Sequence, residues 1–400
     1  MVGPYRGLFN GPGTKAFVLA GFIGRMPMSM IGIGIVLLIS ALTESYATAG
    51  AVAATMNVAF AVAAPLSSRL VDRFGQSRVI PPFAAVNALA LAAIMLCGLF
   101  GLPEWTLYAA GLVVGATSMS VGSMVRARWS VIHGGSKQLH TAFAFESVVD
   151  EVIFVTGPAV VTVLATALNP YMGLLVALVL MFTGLLALAA QRRTEPPVQP
   201  VRTVNGTPIL IPGIALLSCV YLAMGAVFGS VDLTTVAFAE EQGVKGAAGF
   251  LLAAFAGGSM VSGLWFGSRH WRISLRRRFV RALCLFALGL LPISFIGDAR
   301  VMAAALFLAG FAISPTLITG FSLTERLVPP SLLTEGMAWI STALGFGVAI
   351  GAWAGGRITE AYGASNAYVF SLGAAVLAVV VGIGGSGLLR LPGAPSPAKG

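Results

Sequence analysis

Four ionisable side chains stand where the surrounding sequence offers them no water. Arg25 lies in FVLAGFIGRMPMSMIGIG, Asp150 and Glu151 in FESVVDEVIFVTGPAVV, and Asp232 in AVFGSVDLTTVAF. A carboxylate in such a stretch can take up and release a proton as its surroundings change, or it can serve as one half of a fixed ion pair. Asp150, Glu151 and Asp232 are therefore the candidates for a proton pathway, with Arg25 as the charge that tunes it. Glu146 lies one helical turn before Asp150, level with Arg126 and Arg128, and we expect it to form ion pairs with them. Other chemistries find no support. Cys97, Cys219 and Cys284 are dispersed, and His133, His140 and His270 form no metal-ligand spacing. No GxxxxGK[ST] loop and no His/Asp/Glu/Ser catalytic group appears, so we expect no ATP hydrolysis, metal or cofactor.

The elements that carry these residues are set by composition. Of 400 residues, 57% are hydrophobic and 10% are charged, against roughly 45–50% and 25% in soluble domains. Lipid is the solvent such a chain expects. About 20 apolar residues cross the hydrocarbon core. Stretches of that kind lie near 16–42, 47–67, 79–100, 105–126, 141–166 and 171–190. A second set lies near 210–238, 246–267, 279–297, 300–321, 333–356 and 364–389. The expectation is an all-α polytopic membrane protein with twelve spans.

Lys and Arg give the orientation. With the N-terminus inside, 20 of the 24 basic residues fall at the cytoplasmic side, including Arg73, Arg78, Arg126, Arg128 and Arg276–Arg278. The outer loops hold Glu44, Glu104, Glu240, Glu241, Asp298 and Glu360. Both termini are expected in the cytoplasm. The same bias accounts for the net charge of +10 without any nucleic-acid partner. Twenty arginines against four lysines, with abundant Ala and Gly, is the composition of a GC-rich bacterial gene.

The chain is doubled. QRRTEPPVQPVRTVNG (191–206) divides six spans from six, giving bundles at 1–190 and 210–400 joined by a cytoplasmic linker at 191–209. PLSSRLVDRFG (65–75) and MVSGLWFGSRH (260–270) occupy matching places in the two halves. In the first of them, Asp72, Arg73 and Arg78 crowd around Gly75, which allows a tight turn. Asp72 ends a helix where it can accept from an arginine or a helix N-terminus.

SRLVDRFGQSR (68–78) resembles the signature loop of the major facilitator superfamily, with Leu70, Asp72, Arg73 and Gly75 matching. Ser68, Gln76 and Ser77 depart from the pattern, and Arg78 stands one place late. The resemblance implies two pseudo-symmetric six-helix bundles that alternate access to a central site. It also implies that Asp72 meets the start of span eleven, around Leu333–Glu335, and holds the cytoplasmic gate. Spans one and five are neighbours in that fold. Arg25 lies ten residues past Lys15, and Asp150 ten past His140, so both sit about 15 Å deep. Arg25 is therefore expected to meet Asp150 or Glu151.

VTGPAVV (155–161) resembles the Gly-Pro element of the superfamily's antiporters, with Gly157 and Pro158 as a point of close approach and a kink. The family's arginine in mid-span four is absent from GLVVGATSMSVGS (111–123). Met26 and Met30 share one face of span one, and Trp339, Phe346 and Trp353 one face of span eleven. They could line an apolar cavity. Pairs of glycines at 111/115, 225/229 and 347/351 mark close helix approach. The expected activity is proton-coupled efflux of a small apolar or cationic molecule through the bacterial cell membrane, by a monomer resembling the drug:proton antiporter branch. An importer or facilitator on the same fold and a non-transporting membrane sensor are the alternatives.

Overall fold

The computed structural model describes residues 3–43, 46–198, 206–244, 247–269 and 271–389. Part of the expected linker (199–205) and the charges Glu44, Arg202, Lys245, Arg390 and Lys399, with His270, lie outside these residues.

A short helix, α1 (Gly3–Leu8), precedes the spans. Spans one to three are α2 (Thr14–Thr43), α3 (Tyr46–Phe74) and α4 (Gln76–Leu99). Span four is two helices, α5 (Trp105–Thr117) and α6 (Val121–His133). Spans five and six are α7 (Lys137–Ala167) and α8 (Pro170–Ala190). Spans seven to nine are α9 (Pro212–Glu241), α10 (Ala248–Ser268) and α11 (Leu275–Leu290). Span ten is again two helices, α12 (Ala299–Gly310) and α13 (Ile313–Leu327), and α14 (Leu333–Tyr362) and α15 (Ala364–Gly384) complete the chain. Among the described residues, twelve helical segments are long and apolar enough to cross a membrane. In lipid every backbone N–H must bond within its own segment, and the helix does this.

The chain divides into two compact units. One is drawn from residues 2–142 and 149–203, the other from 204–400 together with 143–148. Each unit pairs its spans in the same order. In the first, α2 packs on α8, α3 on α5, and α4 on α5 and α8. In the second, α9 packs on α15, α10 on α12, and α11 on α12, α13 and α15.

The glycine pairs sit where backbones touch. A Cβ at Gly225 or Gly229 would strike the carbonyls of Leu344 and Val348. One at Gly347 or Gly351 would strike those of Leu222 and Ala226. Helices α9 and α14 are thus in backbone contact along two turns. In the first unit, Gly115 lies in the same way against the Met56 carbonyl of α3, and a Cβ at Gly111 would lie 3.0 Å from the Val52 side chain. Lipid supplies no hydrophobic drive between helices, so this close approach is what binds them.

Spans four and ten stand where they were expected, near 105–126 and 300–321, and the helix of each is interrupted once. In span four the chain leaves the helix at Ser118, which is extended (ψ 142°). The hydroxyls of Thr117 and Ser118 turn back onto the carbonyls of Val113 (2.6 Å) and Val114 (2.8 Å), competing with the helix ladder. In span ten the interruption falls at Phe311 and Ala312, four residues before Pro315, which has no N–H to give the Phe311 carbonyl. Ahead of that span Asp298, fully exposed, caps α12 by accepting from the backbone N–H groups of Arg300 (2.8 Å) and Val301 (3.0 Å). Those bonds hold its carboxyl below the usual carboxylate range.

Candidate functional site

Two buried arginines of the first unit converge on one carboxylate. Arg25 of α2 donates from Nη1 to Asp150 Oδ1 at 2.8 Å. Arg126 of α6 donates from Nη2 to Asp150 Oδ2 at 2.6 Å. The arginine side chains are 1% and 4% exposed, whereas that of Asp150 is 26% exposed. Arg25 also donates from Nε to the Gly21 carbonyl on its own helix (3.2 Å). Each oxygen of Asp150 is thus met by a different guanidinium, from a different helix.

The broken span four helps to make this possible. Because α6 starts afresh at Val121, its first turn carries Gly122, where a Cβ would lie 3.0 Å from Arg126 Nη1 and 3.8 Å from Arg25 Cδ. The glycine leaves room for both guanidiniums. Asn87 of α4 steadies the end of α5. Its Nδ2 donates to the Val114 carbonyl (2.8 Å) and reaches Thr117 Oγ1 (3.0 Å). Helix α7 is held against α2 below Asp150. Ser29 Oγ donates to the Ile153 carbonyl (2.9 Å), and the missing Cβ of Gly157 makes room for Ser29 and Met30. Helix α7 continues through Gly157 and Pro158 without interruption.

A second constellation occupies the end of the same unit where α3 turns into α4. Gly75 makes the turn with φ +91°, a conformation that suits a residue without Cβ. As the N-cap of α4 it has no side chain to offer the free N–H groups. Glu195, just after α8, supplies the acceptor: Ser77 N–H donates to its Oε1 at 2.8 Å. Gln76, 1% exposed, donates from Nε2 to the Met124 carbonyl (3.1 Å) and accepts from Arg128 Nε (2.7 Å). Arg128 then spends its remaining donors on the end of α8. Nη1 reaches the Gln191 carbonyl (2.6 Å) and Thr194 Oγ1 (2.7 Å), and Nη2 reaches the Leu188 carbonyl (2.8 Å).

This corrects the pairing expected of Arg128. It was read as an ion-pair partner of Glu146, and its guanidinium is instead a cap for the carbonyl end of α8, where a cation is favourable. Arg126 is the member of the pair that turns to a carboxylate, that of Asp150. Glu146 is fully buried, and Glu151 is half-buried on α7. Neither Glu195 nor Gln76 was singled out from the sequence. The signal was a helix beginning at Gly-Gln-Ser with no Ser, Thr, Asp or Asn at its cap. Replacing Glu195 by Gln keeps an acceptor but removes the charge. We expect only a small loss of thermal stability for Glu195→Gln and about 1 kcal/mol for Glu195→Ala, read by melting the purified protein in detergent.

The remaining candidates are scattered. Asp72 is half-buried in the last turn of α3, and Arg73 and Arg78 are exposed. The Arg73 guanidinium lies 5.0 Å from the centre of the Phe74 ring. Asp232 is exposed on α9. Met26 is half-buried and touched by the Thr156 hydroxyl (3.7 Å to sulfur). Met30 is fully buried and is corrected from cavity lining to core, because it lies at the close approach of α2 and α7. Trp339 is half-buried, while Phe346 and Trp353 are exposed on the side of α14 away from its glycine seam.

Known proteins share this architecture. The human organic anion transporter MFSD10 (TETRAN) superposes with a TM-score of 0.71 at 16% identity, covering 93% of this chain and 100% of that one. A bacterial homologue of the iron transporter ferroportin, in its outward-facing state, gives 0.72 at 15%, covering 93% and 99%. The E. coli fucose:proton symporter gives 0.68 at 12%, covering 92% and 99%. No curated protein matches in sequence. The family profile described as Major Facilitator Superfamily matches residues 17–299 and 217–399. The chain therefore belongs to the major facilitator superfamily and has its twelve-helix transporter fold.

Proposed function

We propose that the protein is a proton-coupled secondary transporter that expels a small apolar or cationic molecule by alternating access. In this reading it acts as a monomer in the inner membrane of a bacterium, with both termini in the cytoplasm. The observation that supports it is Asp150, a half-buried carboxylate of the first unit, bonded on both oxygens to buried guanidiniums. To accept a proton, Asp150 must first release one of them. A conformational step that withdraws Arg25 or Arg126 would admit the proton, and the reverse step would expel it. Proton binding and helix movement are then the same event. Glu151 and Asp232 are secondary members of the pathway, and Asp72, Arg73, Gly75 and Arg78 its cytoplasmic gate.

The fact that both oxygens are already occupied also favours a second reading, in which the cluster is fixed and the protein is a facilitator. The three similar structures, named for an organic anion, iron and fucose, do not decide the cargo. Proton flux separates the two readings. The protein is reconstituted in liposomes with an acidic interior and a pH dye inside, and lipophilic cations and neutral compounds are added outside. Antiport predicts alkalinisation of the interior that depends on one compound and disappears in Asp150→Asn. Uptake of a compound without proton movement would leave the facilitator.

A further inference from the structure

The second unit carries a knot of positive charge at one end. Arg276, Arg277, Arg278 and Arg281 fall in the first two turns of α11, and Arg326 ends α13, the helix packed against it. A loop bearing Arg269 and Arg272 leads into α11. The nearest carboxylate in sequence is Glu325, whose charged neighbour is Arg326.

A bias of arginine towards the cytoplasm explains why such residues occur on this side. It does not explain their arrangement. The first turns of a helix are its positive end, where cations are unfavourable, yet α11 opens with three arginines in a row. Ser274 caps it with a neutral hydroxyl, accepting from Arg277 N–H (3.5 Å). The charged group acting on half-buried Arg278 is another cation, Arg326. The Nε of Arg278 is buried and has no hydrogen-bond partner among the described residues. Arg278 in the first turn of α11 and Arg326 in the last turn of α13, on helices that pack together and with a donor of Arg278 unspent, fit an anion that accepts from both forks. Phosphate is the group of that geometry.

The surroundings indicate what carries the phosphate. Further along α11, Leu285 and Leu288 are exposed, as expected of a face turned to acyl chains. Beside the knot, Trp265 and Trp271 pack edge to face (5.7 Å), and Arg269 lies over the Trp265 ring (5.6 Å). Amphipathic rings of this kind sit at headgroup level. We propose that Arg278 and Arg326, with Arg281 at their rim, bind the phosphate of an anionic phospholipid in the cytoplasmic leaflet. The site rests on the membrane placement and orientation of the spans, and not on what the protein carries or on proton coupling.

The test is lipid retention by the purified full chain, measured by native mass spectrometry after exchange into mixed phosphatidylglycerol and phosphatidylcholine. The expected result is selective retention of phosphatidylglycerol, reduced about tenfold in Arg278→Gln/Arg326→Gln, as for loss of one charge-assisted hydrogen bond. The exposed pair Arg192→Gln/Arg193→Gln, which removes equal charge elsewhere, should retain lipid normally. If it loses as much, the effect is diffuse attraction and the site is overturned. If inorganic phosphate raises the melting temperature of delipidated protein as phosphatidylglycerol does, the ligand is a soluble anion and the lipid assignment fails. Should the double Gln variant not fold, Arg278→Lys/Arg326→Lys decides, since it keeps the charge and loses the fork. Reduced retention then supports the site, and unchanged retention overturns it.

Discussion

Asp150→Ala is expected to abolish coupled transport and to lower the melting temperature sharply. It leaves the Arg25 and Arg126 side chains, 1% and 4% exposed, without the carboxylate that both address. Breaking a buried ion pair from one side costs about 3–5 kcal/mol. The conservative Asp150→Asn keeps the shape and one acceptor, so it should fold better than the Ala variant while still failing to carry protons. The double variant Asp150→Ala/Arg126→Met is the sharper measurement. Removing a cation together with the carboxylate should cost less than the sum of the single changes, because the sites are coupled. Melting in detergent reads this directly. Strict additivity would mean that the three residues do not act as one cluster. Preserved proton release in Asp150→Asn would move the coupling to Glu151 or Asp232.

The second large effect belongs to the seam between α9 and α14. At Gly347 the first atoms a Cβ meets are the Leu222 carbonyl, its carbon (2.8 Å) and the Ala226 nitrogen (2.9 Å). These are backbone atoms, so no rotamer change can yield the space. Gly347→Ala should cost about 1–3 kcal/mol, as overpacking does, and Gly347→Leu should prevent accumulation of folded protein. Gly345, two residues away on the same helix, has nothing within 4 Å. Gly345→Ala should therefore be neutral or raise stability by up to about 1 kcal/mol through helix propensity. Expression and melting of the pair give the comparison. Equal tolerance at both positions would show that the helices can separate without loss.

What the sequence made legible followed from strong, regular signals. The spans could be read because lipid demands about 20 apolar residues at a time. The glycine pairs at 225/229 and 347/351 could be read because close approach needs two small residues one turn apart. The meeting of Arg25 with Asp150 followed from equal depth on two helices that the family resemblance made neighbours. The interruptions in spans four and ten were hidden, because apolar composition does not register whether a backbone bond is present. In span four the clue was a run of small hydroxyl residues, Thr117, Ser118 and Ser120, which bond as readily to their own helix as outside it. Arg128 was misread for a different reason. Its depth matched Glu146, but depth does not give the direction of a side chain around the helix. That direction was set by the end of α8, whose free carbonyls no sequence pattern announces.

Arg128 also has a mechanical consequence. Its one guanidinium is bonded to Gln76 at the start of α4 and to the carbonyls of Leu188 and Gln191 at the end of α8, while its own backbone belongs to α6. Two helix ends are riveted to the middle of α6 through a single side chain, with no covalent cross-link. A tilt of any one of them must drag the other two or break several short bonds at once. The first unit is therefore clamped at this end. A lever needs such a clamped end if force applied at one point is to arrive as displacement at another.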